Sequence, residues 1–460
     1  MTTAGVSGLA SLGILAITAI SPGAATVTAA GSPWSPAARM AQAHEAATAT
    51  LLANGKVLVV GSFPQSDTGA ELYDPAADSW SPTAPMIIPR ALGTATLLPS
   101  GKVLIAGGIT ADTGHSTTRT EIYDPVTNSW SPAEGMAVQR SSHIAILLLS
   151  GKVLVAGGQN ASGYIATAEL YDPVSNHWTM AAPMEAGYSG PRATLLANGT
   201  VLLAGGATFG DGRAELYDPA TNRWSNAGDV ARNTETMTRL ADGRVLITGQ
   251  GKEAQLYNLA TNHWSVAAAM LQDRVAPSAT RLADGRVLVA GGSTTIGGQQ
   301  VWLTSAEIYD PAANRWSPAG CMAQARWEQT ATLLSTRVLI AGGGVPPAAL
   351  SNAELFDPGS ESASQLIDFC PTASAGQSAV ETPSVAASAT LATPSTATPG
   401  AATQASVRPA GELVRLTGVP GVGTLTVSRV TAVGVVAGVL VLLALAVALF
   451  LWARSRRRGI

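Results

Sequence analysis

The sequence predicts an all-β fold, a seven-bladed β-propeller whose N-terminal strand closes the last blade, followed by one C-terminal transmembrane helix. Three observations carry this: a phrase repeated seven times, a last copy completed from the opposite end of the chain, and an uncharged apolar stretch near the C-terminus. Composition agrees. Charged residues make up only 12 % of the chain while 48 Gly and 27 Pro punctuate it, which favours short strands and tight turns over helices. A net charge of −3 gives no electrostatic footprint for nucleic acid.

The repeated phrase runs from residue 47 to residue 357. It reads as a β-run ending in Leu, a glycine-bearing turn, a second β-run ending in Gly-Gly, a variable loop, Glu-Leu-Tyr-Asp-Pro, and then Trp. The second run recurs as Lys56–Gly61, Lys102–Gly108, Lys152–Gly158, Thr200–Gly206, Arg244–Gly249, Arg286–Gly292 and Arg337–Gly343. The third run carries Tyr73, Tyr123, Tyr171, Tyr217, Tyr257, Tyr309 and Phe356. Seven residues after each Tyr stands Trp80, Trp130, Trp178, Trp224, Trp264 or Trp316. Each repeat therefore supplies four strands, a to d. In blade 2 these are expected near Thr94–Pro99, Lys102–Gly108, Thr120–Tyr123 and Ser129–Ser131. Such regular Tyr and Trp residues are expected to fill the gaps between blades, with their polar tips finding partners.

No Trp stands seven residues after Phe356. The missing one is Trp34, whose Trp34-Ser35-Pro36 matches Trp80-Ser81-Pro82. The N-terminus thus provides the outer strand of the last blade, an arrangement that makes sense only in a closed ring, which removes the exposed sheet edges. The order Gly-Gly, Tyr, Trp resembles the kelch signature, and the stretch Trp34–Phe356 is similar to bacterial kelch-repeat proteins and to the propeller domain of galactose oxidase. That resemblance marks a fold strongly and a function weakly, because propellers host unrelated functions.

The flanks divide into further segments. Residues 1–30 read as a signal peptide, with an apolar run Leu9–Ile20 and small residues before Ala30, although no Lys or Arg precedes the run. The propeller spans 31–358. Residues 359–428 form an Ala/Ser/Thr/Pro-rich stalk whose composition cannot offset its chain entropy by burial. Residues 430–452 have the length and apolarity of a membrane span. The basic tail 453–460, with Arg454, Arg456, Arg457 and Arg458, places the C-terminus in the cytoplasm and the propeller outside. Cys321 and Cys370 are the only cysteines. They are either two free thiols or a bridge pinning the chain's exit from the ring, and an exported protein favours the bridge.

Because strands alternate in direction, the a–b and c–d turns share one face and the b–c and d–a loops the other. The first face is nearly constant; the second varies, so binding is expected there. One position shortly before each strand a recurs in register and holds His44, Arg90, Arg140, Tyr188, Arg232, Arg274 and Arg326. A ring of guanidinium groups could bind an acidic glycan or a carboxylate. Alternatively, the arginines satisfy carbonyls at blade junctions.

Enzyme readings find less support. The oxidase resemblance would imply copper held by Tyr and His and a Tyr cross-linked to Cys, yet only five His are present and no Tyr-His dipeptide occurs. Asp67-Thr68-Gly69 and Asp112-Thr113-Gly114 imitate aspartic-protease motifs but lie in b–c loops without the strands that would pair two carboxylates. No H-E-x-x-H, G-x-S-x-G or P-loop is present. The expectation is a monomeric, membrane-anchored surface propeller that binds a protein or a glycan, without metal or cofactor and without nucleic acid. A carbohydrate-active enzyme on the same fold and a purely structural envelope component are the alternatives.

Overall fold

A computed structural model describes residues 32–62, 69–206, 212–230, 234–360, 370–374, 413–416 and 425–428. Two compact units arise, Met1–Glu381 and Thr382–Ile460. The described part of the second is an antiparallel hairpin of Leu413–Leu416 and Leu425–Ser428. The leader 1–30, most of the stalk 359–428, the apolar segment 430–452 and the tail 453–460 lie outside the described residues. Among the described residues no helix is long and apolar enough to cross a membrane.

The first unit is a seven-bladed propeller. Each blade is a four-stranded antiparallel sheet in the order a-b-c-d. In blade 2 the strands are Thr94–Leu97, Val103–Ala106, Thr120–Asp124 and Ser129–Ala133. Strand b is buried at all four positions in every blade except blade 5, where it has five buried residues. Both of its faces are covered by neighbouring blades, so it reads as a continuous apolar run rather than an alternating one. Strand a of each blade packs against strand a of both neighbours, and blade 7 packs against blade 1.

Ring closure follows the predicted route. Trp34–Ala37 pairs with Ala353–Phe356, completing the sheet whose other strands are Thr330–Leu333 and Val338–Ala341. There is no single core. Seven apolar clusters form, one between each pair of adjacent blades. The closing cluster joins Leu339 and Leu355 of blade 7 to Val57, Val59 and Tyr73 of blade 1.

The repeated aromatics fasten one blade to the next. Tyr171 stacks on Trp178 with ring centroids 5.0 Å apart, and the pair recurs in every blade, as Trp34 on Phe356 in blade 7. Tyr171 donates its hydroxyl to Asn176 Oδ1 at 2.8 Å, Asn176 Oδ1 accepts the Glu134 amide of blade 2, and Trp178 donates to the Glu134 carbonyl at 2.7 Å. One residue of the preceding blade is thus gripped at both its N–H and its C=O. The gripping Asn holds a left-handed conformation in the c–d turn (φ 53° at Asn176), which Asn tolerates well.

The Gly-Gly pairs answer another demand. A Cβ on Gly107 would stand 2.5 Å from the Arg140 carbonyl of blade 3, and one on Gly108 2.6 Å from the Ala91 carbonyl. Both have φ in the left-handed region, at 60° and 95°. The d–a crossing of the next blade therefore passes directly over the end of strand b.

Candidate functional site at the channel mouth

The recurring arginines lie in this crossing, and the structure seals them in. Arg140, Arg274 and Arg326 are 0 % exposed and Arg90 is 2 % exposed. Arg140 donates from Nη1 to the carbonyls of Gly157 (2.8 Å) and Thr167 (3.0 Å), and from Nη2 to Glu169 Oε1 at 2.9 Å. Arg274 and Arg326 pair with Glu307 and Glu354 at 2.8 Å, and Arg90 with Glu121. Each glutamate also accepts backbone N–H groups from the crossing, as Glu169 does from Ala137 and Val138.

Two blades vary the theme. His44 bonds to the Gly61 carbonyl at 2.8 Å and to Glu71, and Tyr188 donates to Glu215 Oε1 at 2.8 Å. Arg232 lies outside the described residues. The expectation of an arginine ring open to an acidic ligand is corrected for the other six positions. Their polar groups are turned into the blades because the Gly-Gly carbonyls and the buried carboxylates need donors there. The signal was in the sequence: Glu occupies the strand-c position in the six blades other than blade 5, which has Gln255.

The true mouth is formed by the residues just after this layer. Ala46, Leu92, Ser142, Gly190, Ala276 and Glu328 all lie two residues beyond the layer position, and all have φ between 51° and 65°. They form a collar linked across blades: the Ser142 amide donates to Leu92, Gly190 to Ser142, and Glu328 to Ala276. Non-repeating side chains gather on this collar. Trp327 donates from Nε1 to Glu45 Oε1 at 3.1 Å. Arg192 donates to the backbone carbonyl of Glu235 at 2.8 Å, and Glu235 Oε2 accepts the Ala276 amide at 3.1 Å.

These charges feel one another. Burial pushes the Glu328 carboxyl above its ordinary range, and Glu45 and Glu235 push it further while Arg192 opposes them. Glu45 and Glu235 are also raised, in each case chiefly by burial. Arg192 is lowered by burial, against the pull of Glu235 and Glu328. Glu328 is nevertheless exposed to solvent. Glu328 thus meets solvent while Glu45, Glu235 and Arg192 stand near enough to shift it, and the four form one cluster on the collar. Three carboxyls against one guanidinium leave that cluster acidic.

Beneath the collar sits His143, with Nε2 3.1 Å from Thr94 Oγ1 and Nδ1 lacking a partner. Its pKa is lowered to about 3, first by burial and then by Arg140 and Arg90, so it is neutral. Gln329 fills the same register in blade 7 and donates to Ser278 Oγ (3.1 Å) and to the Ala290 carbonyl (2.7 Å).

The model of the family described as Kelch motif matches residues 92–137, 140–185 and 276–323. Those spans are blades 2, 3 and 6, each from the crossing that leads into strand a to just beyond the outer strand. The chain carries Kelch repeats. Among solved structures, the kelch propeller is similar to a fungal alcohol oxidase of the AA5 family in complex with copper, with a TM-score of 0.59 and 20 % identity over 71 % of this chain and 76 % of that one. It is also similar to the structure of YjhT, with a TM-score of 0.47 and 15 % identity over 68 % of this chain and 95 % of that one. No curated protein matches. At these identities the likeness is one of fold.

A copper centre of the oxidase type finds no donor set among the described residues of the kelch propeller. Six repeat tyrosines donate their hydroxyls to Asp78, Asn128, Asn176, Asn222, Asn262 and Asn314 in the c–d turns, on the face opposite the mouth. Cys321 and Cys370 form a disulfide, so neither thiol is available for a cross-link to Tyr. Among the described residues no three His, Cys, Asp or Glu side chains are grouped to hold a metal ion.

Proposed function

We propose that the chain is a binding module displayed outside the cytoplasm, tethered by its C-terminal apolar segment, and that its ligand engages the channel-mouth face by offering a basic group. The observation that carries this reading is the carboxyl cluster on the collar. Glu45, Glu235 and Glu328 are each raised by burial, and Glu328 also by the charges of the other two, so a cationic group entering among them would favour their charged forms. The cluster is built from blades 1, 4, 5 and 7 at positions that do not repeat, which is the pattern of a site grafted onto a scaffold. Kelch propellers as protein-binding modules fit this use of the face. A protein presenting Lys or Arg is therefore favoured over the acidic glycan that an open arginine ring would have taken.

The tether rests on Val430–Trp452, which contains no charged residue and is followed by four arginines. The test of binding is a peptide array bearing Lys and Arg beside a glycan array, probed with the propeller unit. Salt-sensitive binding to basic peptides, weakened roughly fivefold by Glu235→Gln or Glu328→Gln, corresponds to about 1 kcal/mol for each partly exposed charge and supports the reading. Binding that ignores both substitutions overturns it. Clustered carboxyls with raised pKa values also suit acid–base chemistry on a sugar. Turnover of a glycan, lost in Glu328→Gln, would move the protein into that class.

A further inference from the structure

Both ends of the propeller chain are fastened to one place, the outer strand of blade 6 (Arg315–Cys321). Trp34 of the closing N-terminal strand donates from Nε1 to the Ala319 carbonyl at 2.7 Å and packs on Phe356 with ring centroids 4.9 Å apart. Two residues further on, Cys321 is bonded to Cys370, across a sequence separation of 49. The chain beyond Cys370 stays on blade 6. The Pro371 carbonyl accepts Thr304 Oγ1 at 2.5 Å, and Thr372–Ser374 adds a third strand to the hairpin of Ser293–Ile296 and Gln299–Leu303. That hairpin is the b–c loop of blade 6, so the chain leaves the propeller from the mouth face.

We propose that this clasp is a load path: tension on the C-terminal segment passes through Cys370 and Cys321 into blade 6 and by-passes blade 7. Blade 7 is the mechanically weak blade, because its sheet is assembled from both chain ends. Without the bridge, tension would arrive at Phe356, the end of strand c, and unzip its pairs with Trp34–Ala37 and Val338–Ala341 one at a time. With the bridge, residues 322–369, including strands a, b and c of blade 7, carry no load. Only the three-residue strap Thr372–Ser374 yields before the covalent link takes the force. The device has its physiological sense under the tethering reading above, yet it holds for any load on the C-terminal segment, so either can fail alone.

Single-molecule pulling on the full chain decides it. One handle is the C-terminus and the other a short peptide tag inserted at the exposed Val174 turn of blade 3. The oxidised protein is expected to show no early release of blade 7. After treatment with a dithiol reductant, which converts the disulfide to two thiols, a new low-force step of about 16 nm appears as roughly 48 residues become extensible. Cys321→Ser/Cys370→Ser reproduces that step, and reduction of the folded wild type serves if this variant does not fold. An early step in the oxidised protein, or none after reduction, overturns the proposal.

Discussion

Arg326 and Glu328 are two residues apart in one loop and have opposite fates. Arg326 recurs in register, is 0 % exposed and is bonded to Gly342, Asn352 and Glu354. Glu328 has no acidic counterpart at the same collar position of other blades, stands open to solvent and carries a carboxyl pushed up by burial and by Glu45 and Glu235. The difference teaches how to read a repeat protein. A residue that recurs in every blade answers a need that recurs in every blade, such as the carbonyls at the end of strand b. A polar residue that appears once, on the collar, answers something outside the fold.

The largest effect should come from breaking the recurring layer. Arg140→Ala strands the Glu169 carboxylate at 1 % exposure. Loss of one partner from a buried pair costs about 3–5 kcal/mol, and thermal or denaturant unfolding measures it. A change that leaves stability intact would mean the layer is not structural.

His143 gives the next largest effect, and only in acid. Its pKa falls from 6.5 to about 3 on folding, so the unfolded chain takes up a proton that the folded chain refuses. Stability is full above pH 6.5 and falls as pH drops towards 3, by roughly 3 kcal/mol at pH 4. His143→Gln, which installs the residue found at the same register in blade 7, should flatten that loss. Unfolding curves at pH 7 and pH 4 check it.

The blade-to-blade grip is smaller. Tyr171→Phe removes the hydroxyl held by Asn176 and should cost about 1 kcal/mol in denaturant unfolding. Smallest is Glu328→Gln, which removes a carboxyl whose charged form is disfavoured. It should stabilise the protein slightly at neutral pH, and that gain should vanish in acid, where Glu328 is protonated in both states.

Much of the scaffold was legible in the sequence because its physics repeats. The Tyr–Trp spacing, the Gly-Gly ends and the stray Trp34 each mark a feature that every blade or the ring itself requires. The Cys321–Cys370 bridge was legible as one of two readings. The arginines were legible as one of two readings, ligand ring or carbonyl partners, because register shows that a position recurs, not which way its side chain turns. The co-recurring strand-c glutamates were the missing clue. Glu45, Arg192 and Glu235 were not singled out because no spacing brings them together, only ring closure does. Of the collar's left-handed residues only Gly190 is a glycine; Ala46, Leu92 and the others carry no such signal.

The most direct test of the central claim is a side-by-side measurement of Arg326→Gln and Glu328→Gln, reading thermal stability and affinity for a basic peptide on both. The account predicts that Arg326→Gln lowers stability sharply, while Glu328→Gln keeps the fold and loses roughly fivefold in affinity. The reverse pattern, a stable Arg326→Gln that binds poorly beside a Glu328→Gln that binds normally, would contradict it and return the arginine layer to the ligand.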